Sequence, residues 1–161
     1  MSSRSTILQP SIAYDVTRVL PYVTQKIPGD GYFGSGDGNH TLQVSLDSFI
    51  GVYHIEASIA NNPTEADWIT IKLAEPTVNV TELTVLASGA VSQSGNLITD
   101  VTYVTSETST KIYNFTGNFT WIRAVAASWT AGTISNILLN HWGRTNGKAN
   151  DKHRHIWTWH W

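Results

Sequence analysis

Six histidines and twelve acidic residues are the side chains of this 161-residue chain that could carry chemistry. His153 and His155 lie two positions apart, so in an extended segment their imidazoles point to the same side. Such a pair can hold zinc or nickel if a third ligand lies nearby, and Asp151 is the neighbouring carboxylate. The chain has no cysteine to supply a thiolate. A polar segment flanked by aromatic residues accounts for the pattern more simply, so we expect no metal site.

Catalysis by paired carboxylates needs two acids about 5 to 9 Å apart across a cleft. Six of the twelve acidic residues fall instead among turn residues, at Asp30, Asp37, Glu65, Asp67, Asp100 and Asp151. No nucleophile stands in the sequence with a recognisable base and orienting group. We therefore expect a protein that is not an enzyme, with no catalytic residues and no cofactor.

Residues 29–38 contain five glycines in ten positions. A phosphate-binding loop is excluded, because no Gly-Lys-Ser/Thr follows and no helical pattern begins there. Calcium would use Asp30, Asp37 and Asn39, but their spacing matches no EF-hand. The sequence predicts a turn-rich loop with residues at positive φ.

The elements that would position these side chains are predicted to be β-strands. Threonine, serine, valine and isoleucine dominate, and short alternating runs are separated by turn residues. The predicted strands cover residues 40–46, 49–59, 68–73, 83–87, 97–104, 111–115, 118–129 and 134–140. No segment has a good 3.6-residue period. We predict an all-β fold, an antiparallel, jelly-roll-like β-sandwich.

Residues 118–140 form the strongest predicted hairpin, with its turn at residues 130–133. Phe119, Trp121 and Trp129 are expected on one face, and both faces are largely apolar, so the first strand is predicted to be central. Arg123 breaks the pattern and needs a buried or interfacial carboxylate, for which Glu56 is the candidate.

The chain is predicted to have three parts. Residues 1–28 are an extended N-terminal arm interrupted by three prolines, residues 29–142 are the sandwich domain, and residues 143–161 are a linker and an aromatic C-terminal anchor. In an extended anchor three indoles lie on one side, which suits edge pairing on a neighbouring sheet. The predicted interface residues are Trp157, Trp159, Trp161, Ile156 and His155. Docking within one copy and docking between copies both stay open.

The charge of the chain excludes some partners. The formal net charge is −2 and only 14% of residues are charged, which argues against a general nucleic-acid or membrane-surface binder. No apolar run approaches the roughly 18 residues of a membrane span. Basic residues do cluster at Arg144, Lys148, Lys152 and Arg154, where stacking on nucleic acid is an alternative. A solvated linker fits this Gly/Asn-rich stretch better.

Several phrases together resemble small β-sandwich structural proteins of tailed bacteriophage virions, and this resemblance covers roughly residues 29–141. The phrases are Gly29-Asp-Gly-Tyr-Phe-Gly34, Asn62-Pro-Thr-Glu65, Phe115-Thr-Gly-Asn-Phe-Thr-Trp-Ile-Arg-Ala124 and Gly132-Thr-Ile-Ser135. The resemblance implies a capsid decoration, neck or tail component of the virion without catalytic residues. It implies assembly with other virion proteins and with itself, as a trimer or larger ring.

Trp121-Ile-Arg-Ala124 followed by Gly132-Thr-Ile-Ser135 also resembles the final strands of galactose-binding-like jelly rolls. That resemblance implies an alternative function, a carbohydrate-binding module for host-surface glycans. Its sugar-stacking residues would be Tyr32, Phe33 and Trp68.

Overall fold

The computed structural model describes residues 2–34, 37–75, 84–85, 91–92 and 97–143. These residues form twelve strands, one helical turn (α1) and a 3₁₀ turn at Glu65–Asp67. In chain order the elements are β1 Ser2–Gln9, β2 Ile12–Ala13, β3 Tyr22–Val23, β4 Ile27–Pro28, α1 Asp30–Phe33, β5 Asn39–Ser58, β6 Ile69–Thr70, β7 Leu73–Ala74, β8 Thr84–Val85, β9 Val91–Ser92, β10 Leu97–Ile98, β11 Val101–Thr116 and β12 Trp121–Gly143. None of the helices in these described ranges is long and apolar enough to cross a membrane.

Ten strands form one antiparallel sheet in the order β1-β12-β5-β11-β7-β10, with the short strands attached at its sides, and β8 pairs with β9 separately. The 23-residue β12 is central. One of its sides pairs with β5, and the other pairs in turn with β4, β3, β2 and β1. The predictions of an all-β fold and of a central strand are therefore confirmed. The jelly-roll topology stays a prediction.

The long strands bend at one level of the sheet. In β5 the buried positions are even-numbered from His40 to Leu46 and odd-numbered from Phe49 to Ala57, because Ser48 takes a positive φ of 54° between them. Opposite this point β12 has four interruptions in its pairing with β5, between Ala126 and Asn136. Bulges of this kind bend and twist a strand without ending it. The two halves of the sheet thereby face each other around one core.

The predicted hairpin over residues 118–140 is wrong, because β12 passes through residues 130–133 as one strand. Gly132 takes a φ of 82° and lies so close to Ser48 that a Cβ would be 2.1 Å from the Ser48 carbonyl oxygen. The turn-forming residues therefore produce bulges, not a reversal. Trp121 and Trp129 do not share a face as expected, since the bulge after Ala126 moves Trp129 to the core face, where it is 1% exposed.

Residues 2–28 run along β12 of the same chain as four strands, with a turn at residues 15–18 between β2 and β3. β1 pairs with Ile137–Gly143, and β2, β3 and β4 follow the central strand towards its beginning. Leu8 and Ile27 belong to the buried core. This N-terminal segment therefore contributes both strands and core side chains to the sheet.

Candidate interaction surfaces

Three aromatic rings meet at one end of the described structure. Tyr32 and Phe33 on α1 stand edge to face with ring centroids 5.2 Å apart, and the Tyr32 ring lies 5.0 Å from that of Trp121. The Lys26 ammonium lies 4.4 Å from the centre of the Trp121 ring. Tyr32 is 52% exposed and Phe33 is 39% exposed. We call Tyr32, Phe33, Trp121 and Lys26 the aromatic surface.

Glycines hold α1 against the start of β12. The Gly29 amide donates to the Thr120 carbonyl at 3.0 Å, and the Gly31 amide donates to the Phe119 carbonyl at 2.8 Å. A Cβ on Gly31 would lie 2.5 Å from the Asn118 carbonyl oxygen, so this close approach requires glycine. The helical turn then presents Tyr32 and Phe33 outward beside Trp121.

The loop that follows α1 is closed by its own polar side chains. The Asp30 carboxylate accepts from the Gly38 amide at 3.0 Å, and the buried His40 ring accepts from the Asp30 amide at 3.3 Å. Asp37 accepts from the Asn39 amide at 2.9 Å. Positive φ values at Gly34 and Gly38 confirm the predicted turn residues, whereas the helical turn at Asp30–Phe33 was not expected from the sequence. Within the described ranges no three His, Asp or Glu side chains are grouped as a metal site would require.

Arg123 forms the ion pair that the sequence predicts. Its Nε donates to Glu56 at 2.7 Å, which confirms the expected partner, and its two terminal nitrogens donate to Glu65 at 3.1 and 2.9 Å. These hydrogen bonds, and then the positive charge, hold the pKa of Glu65 below its ordinary value. The guanidinium also lies 4.1 Å from the centre of the Trp68 ring. Trp68 is thus held by a cation–π contact.

The three predicted glycan contacts lie on one face of the sheet. Trp121 and Arg123 are two positions apart on β12, so their side chains point to the same side of the sheet about 7 Å apart. Trp121 contacts Tyr32, and Arg123 carries Trp68. Phe33 and Tyr32 are therefore adjacent, while Trp68 is separated from them by Trp121 and Arg123. The sequence interpretation missed Trp121 as a member of this face because it placed Trp121 with the core residue Trp129, and Lys26 was not considered.

His54 lies between two carboxylates on the same outer face of the sheet. Its Nε2 is 3.3 Å from a Glu56 oxygen, and its Nδ1 is 3.2 Å from an Asp100 oxygen that is out of line for a hydrogen bond. Glu56 is shared with Arg123. The row of Asp100, His54, Glu56 and Arg123 links the turn before β11, β5 and β12 across the outer face.

A cavity of about 450 Å³ opens between β6, β7, β10 and the end of β11. Its described lining is mostly apolar, and Ile69, Ile71, Leu97 and Phe115 are among the side chains involved. No histidine or carboxylate belongs to that described lining. The cavity and the charged row around His54 are therefore separate features.

The outer edge of β1 is the end of the sheet order. Six consecutive residues, Ser2–Ile7, pair in continuous register with β12 on their inner side. Their outer side has no strand partner among the described residues. We call this outer side the β1 edge. Ile7 stands beside it on the outer face and is 59% exposed.

The predicted anchor residues Ile156, Trp157, Trp159, Trp161 and His155 lie outside the described residues. The histidine pair His153 and His155 with Asp151, where we expect no metal site, also lies outside them. β12 ends at Gly143, which pairs with Ser2 at the start of β1.

Comparisons with known proteins place this all-β chain in no family. No family model matches it, and no curated protein matches it. Among solved structures it is similar to the crystal structure of the SPBc2 prophage-derived protein YomS, with 10% identity and a TM-score of 0.49. That match covers 88% of this chain and 95% of the YomS chain. Similarity at this level transfers no function.

Proposed function

We propose that this protein is a non-enzymatic structural protein that works by assembly, as a capsid decoration, neck or tail component of a bacteriophage virion. The observation that supports assembly is the β1 edge, a continuous strand edge at the end of a large sheet. Exposed strand edges are templates for pairing with another chain. The virion location rests on the sequence resemblance over residues 29–141.

The low charge of the chain fits this role. Only 14% of residues are charged, so surfaces that pack closely together would desolvate few ions. The partners are further copies of the chain, in a trimer or larger ring, and other virion proteins. The predicted anchor of Trp157, Trp159 and Trp161 supplies apolar area for such contacts.

The test of assembly is the mass of the full-length protein in solution, measured by light scattering over a wide range of protein concentration. We expect a trimer or larger ring whose population grows with concentration. A mass of one chain at every concentration would overturn the proposal.

Carbohydrate binding is the second candidate, and the aromatic surface is the observation that favours it. Exposed rings at Tyr32 and Phe33, with Trp68 on the same face, provide the apolar platforms on which sugar rings stack. A host-surface glycan would be the ligand. Tyr32→Ala and Trp68→Ala should remove hits on a glycan array, whereas Tyr14→Ala, at an exposed tyrosine outside this surface, should keep them. An array without hits for the unsubstituted protein contradicts this candidate.

A further inference from the structure

We propose that residues 153–161 of one copy add as an antiparallel strand to the β1 edge of a second copy. This proposal rests on the assembly function proposed above and names the surfaces that make the contact. The occupant is the segment that carries the three indoles. The acceptor is the outer side of Ser2–Ile7.

The β1 edge has few of the features that usually block strand addition. Natural edges are protected by proline, by charged side chains and lysine above all, by bulges or by very short strands. Ser2–Ile7 contains no proline and no lysine. It keeps its register for six residues and meets its first irregularity only between Ile7 and Gln9. Arg4 is its one charged residue.

The opposite side of the sheet is protected. β11 is interrupted in its pairing with β5 between Tyr103 and Ser109, and it carries Glu107 and Lys111, whose charged atoms are 4.0 Å apart. β7 pairs with β11 at Asn114, and β10 lies beyond β7. Strand addition is therefore favoured at β1 and opposed at β11.

The side chains of the donor match this edge. Both segments alternate with period two, so the three indoles of a paired donor lie on one face of the sheet. On the outer face Ile7 is 59% exposed and stands beside Leu138 of β12. Indoles on that face would cover Ile7 and remove its apolar surface from water. The other side of the donor, at Ile156 and Thr158, would then face the edge of the core beside Thr6.

Chain geometry favours an acceptor on another copy. Gly143 pairs with Ser2, so an antiparallel donor on the same copy must begin beside Gln9, about 24 Å away. Residues 144–152 number nine. A flexible linker of that length would span about 15 to 18 Å on average and about 30 Å when fully extended, so antiparallel pairing within one copy requires a stretched linker. Pairing in parallel within the copy would avoid this distance but is slightly less stable per residue. An edge on a second copy can be reached in the antiparallel direction.

Disulfide trapping tests the contact in the full chain, because the chain has no cysteine of its own. Thr6→Cys and Thr158→Cys proteins are mixed under mild oxidation. We expect a mixed disulfide between one copy of each. Thr110→Cys on β11 is the matched control in place of Thr6→Cys, and it should give no such product. Equal products from both acceptors, or none from Thr6→Cys, would overturn the proposal.

A doubly substituted chain separates the two modes of docking. If Thr6→Cys and Thr158→Cys in one chain close within that chain at high dilution, the donor docks on its own copy and the proposal is wrong. If high dilution leaves both thiols reduced while concentrated protein forms linked chains, the contact between copies is supported.

Two further full-length variants connect the contact to assembly. Replacing all three anchor tryptophans by serine should return the mass to that of one chain, and Ile7→Lys should weaken association by about tenfold or more. If the unsubstituted protein assembles and the triple variant assembles equally well, this inference fails while the assembly function stands. If the unsubstituted protein is itself a single chain, the assembly function fails.

Discussion

The hydroxyl oxygens of Tyr53 and Tyr113 lie 3.2 Å apart inside the core, although Tyr53 and the strand partner of Tyr113 are far apart on β5. Tyr113 is paired with Leu42, and Tyr53 lies eleven positions further along the same strand. A straight strand would separate those levels by about 36 Å. The contact therefore joins the two halves of the bent sheet across the core.

Tyr53→Phe should lower the free energy of unfolding by about 1 kcal/mol, because it leaves the Tyr113 hydroxyl without this buried partner. The double variant with Tyr113→Phe should cost less than the sum of the two single changes, since neither hydroxyl is then left unpaired. Urea denaturation measures both. Tyr14→Phe, at an exposed ring, is the control and should change little. Additive single and double effects would mean that the two hydroxyls do not interact.

Stability should fall in alkaline solution. Burial, and then the neighbouring Tyr113, raise the pKa of Tyr53 above its ordinary value of 10.0. Above that pH the unfolded chain loses a proton that the folded chain keeps, so the unfolded state becomes more stable relative to the folded state. The stability is complete below pH 10 and decreases above it by up to about 1.4 kcal/mol per pH unit for one such group. Denaturation curves measured on both sides of pH 10 give the unfolding free energy at each pH. This free energy should decrease less steeply with pH in Tyr53→Phe than in the unsubstituted protein.

Gly132→Ala should destabilise the bend by about 1 to 3 kcal/mol. The new methyl would meet the Ser48 carbonyl and would sit at a φ of 82°. Gly34→Ala is the matched control, because Gly34 also has a positive φ, of 67°, but a Cβ there meets nothing within 4 Å. The difference in unfolding free energy between the two variants isolates the close approach of β12 to β5. Equal losses would show that only the φ preference matters.

Arg123→Ala should cost about 2 kcal/mol, because it leaves Glu56 partly buried without its cation. Arg123→Lys keeps the charge but loses the bidentate contact with Glu65. Its unfolding free energy should therefore lie between those of the unsubstituted protein and Arg123→Ala. The pKa of Glu65, held down by Arg123, should rise towards 4.5 in the alanine variant, as an NMR titration would show. The stabilisation from that shift is present above pH 4.5 and is lost as the pH falls through the lower folded pKa. An unchanged Glu65 titration contradicts the assigned pairing.

Asp30→Ala should loosen the loop after α1 and cost about 1 to 2 kcal/mol, because the buried Gly38 amide loses its acceptor. Asp37→Ala changes an exposed carboxylate in the same loop and should have a much smaller effect. Amide hydrogen exchange at Gly38 reports the difference directly. Equal exchange in both variants would show that Asp30 does not close the loop.

Alternation in the sequence was sufficient to predict strands and the pairing of Arg123 with Glu56. Alternation did not predict that two of the expected strands form one continuous strand. The change of phase between Leu46 and Phe49 was interpreted as a break between two strands, whereas the structure keeps one strand with a bulge at Ser48. A break between two strands and a bulge within one strand produce the same change in the alternation of apolar residues. Only the pairing with the neighbouring strand distinguishes them. Gly132 fits against the Ser48 carbonyl, which sequence spacing alone does not show.

The aromatic surface was predicted in part. Tyr32 and Phe33 were expected as glycan contacts from the resemblance to galactose-binding-like jelly rolls, which their position in a glycine-rich loop permits. Trp121 and Lys26 were missed because their meeting depends on β4 pairing with the first residues of β12. Such contacts join residues almost a hundred positions apart, so no local pattern indicates them.

The central position of β12 also sets an order of events during synthesis. β1 is made first, yet its partners are residues 137–143, and β5 likewise awaits most of its hydrogen bonds on one side. A ribosome-bound chain therefore exposes two long strand edges until the last described strand emerges. Folding dominated by such distant pairings is slow and favours association between unfinished chains. Many copies translated close together from one message would meet in that state, before any of them has closed its own sheet.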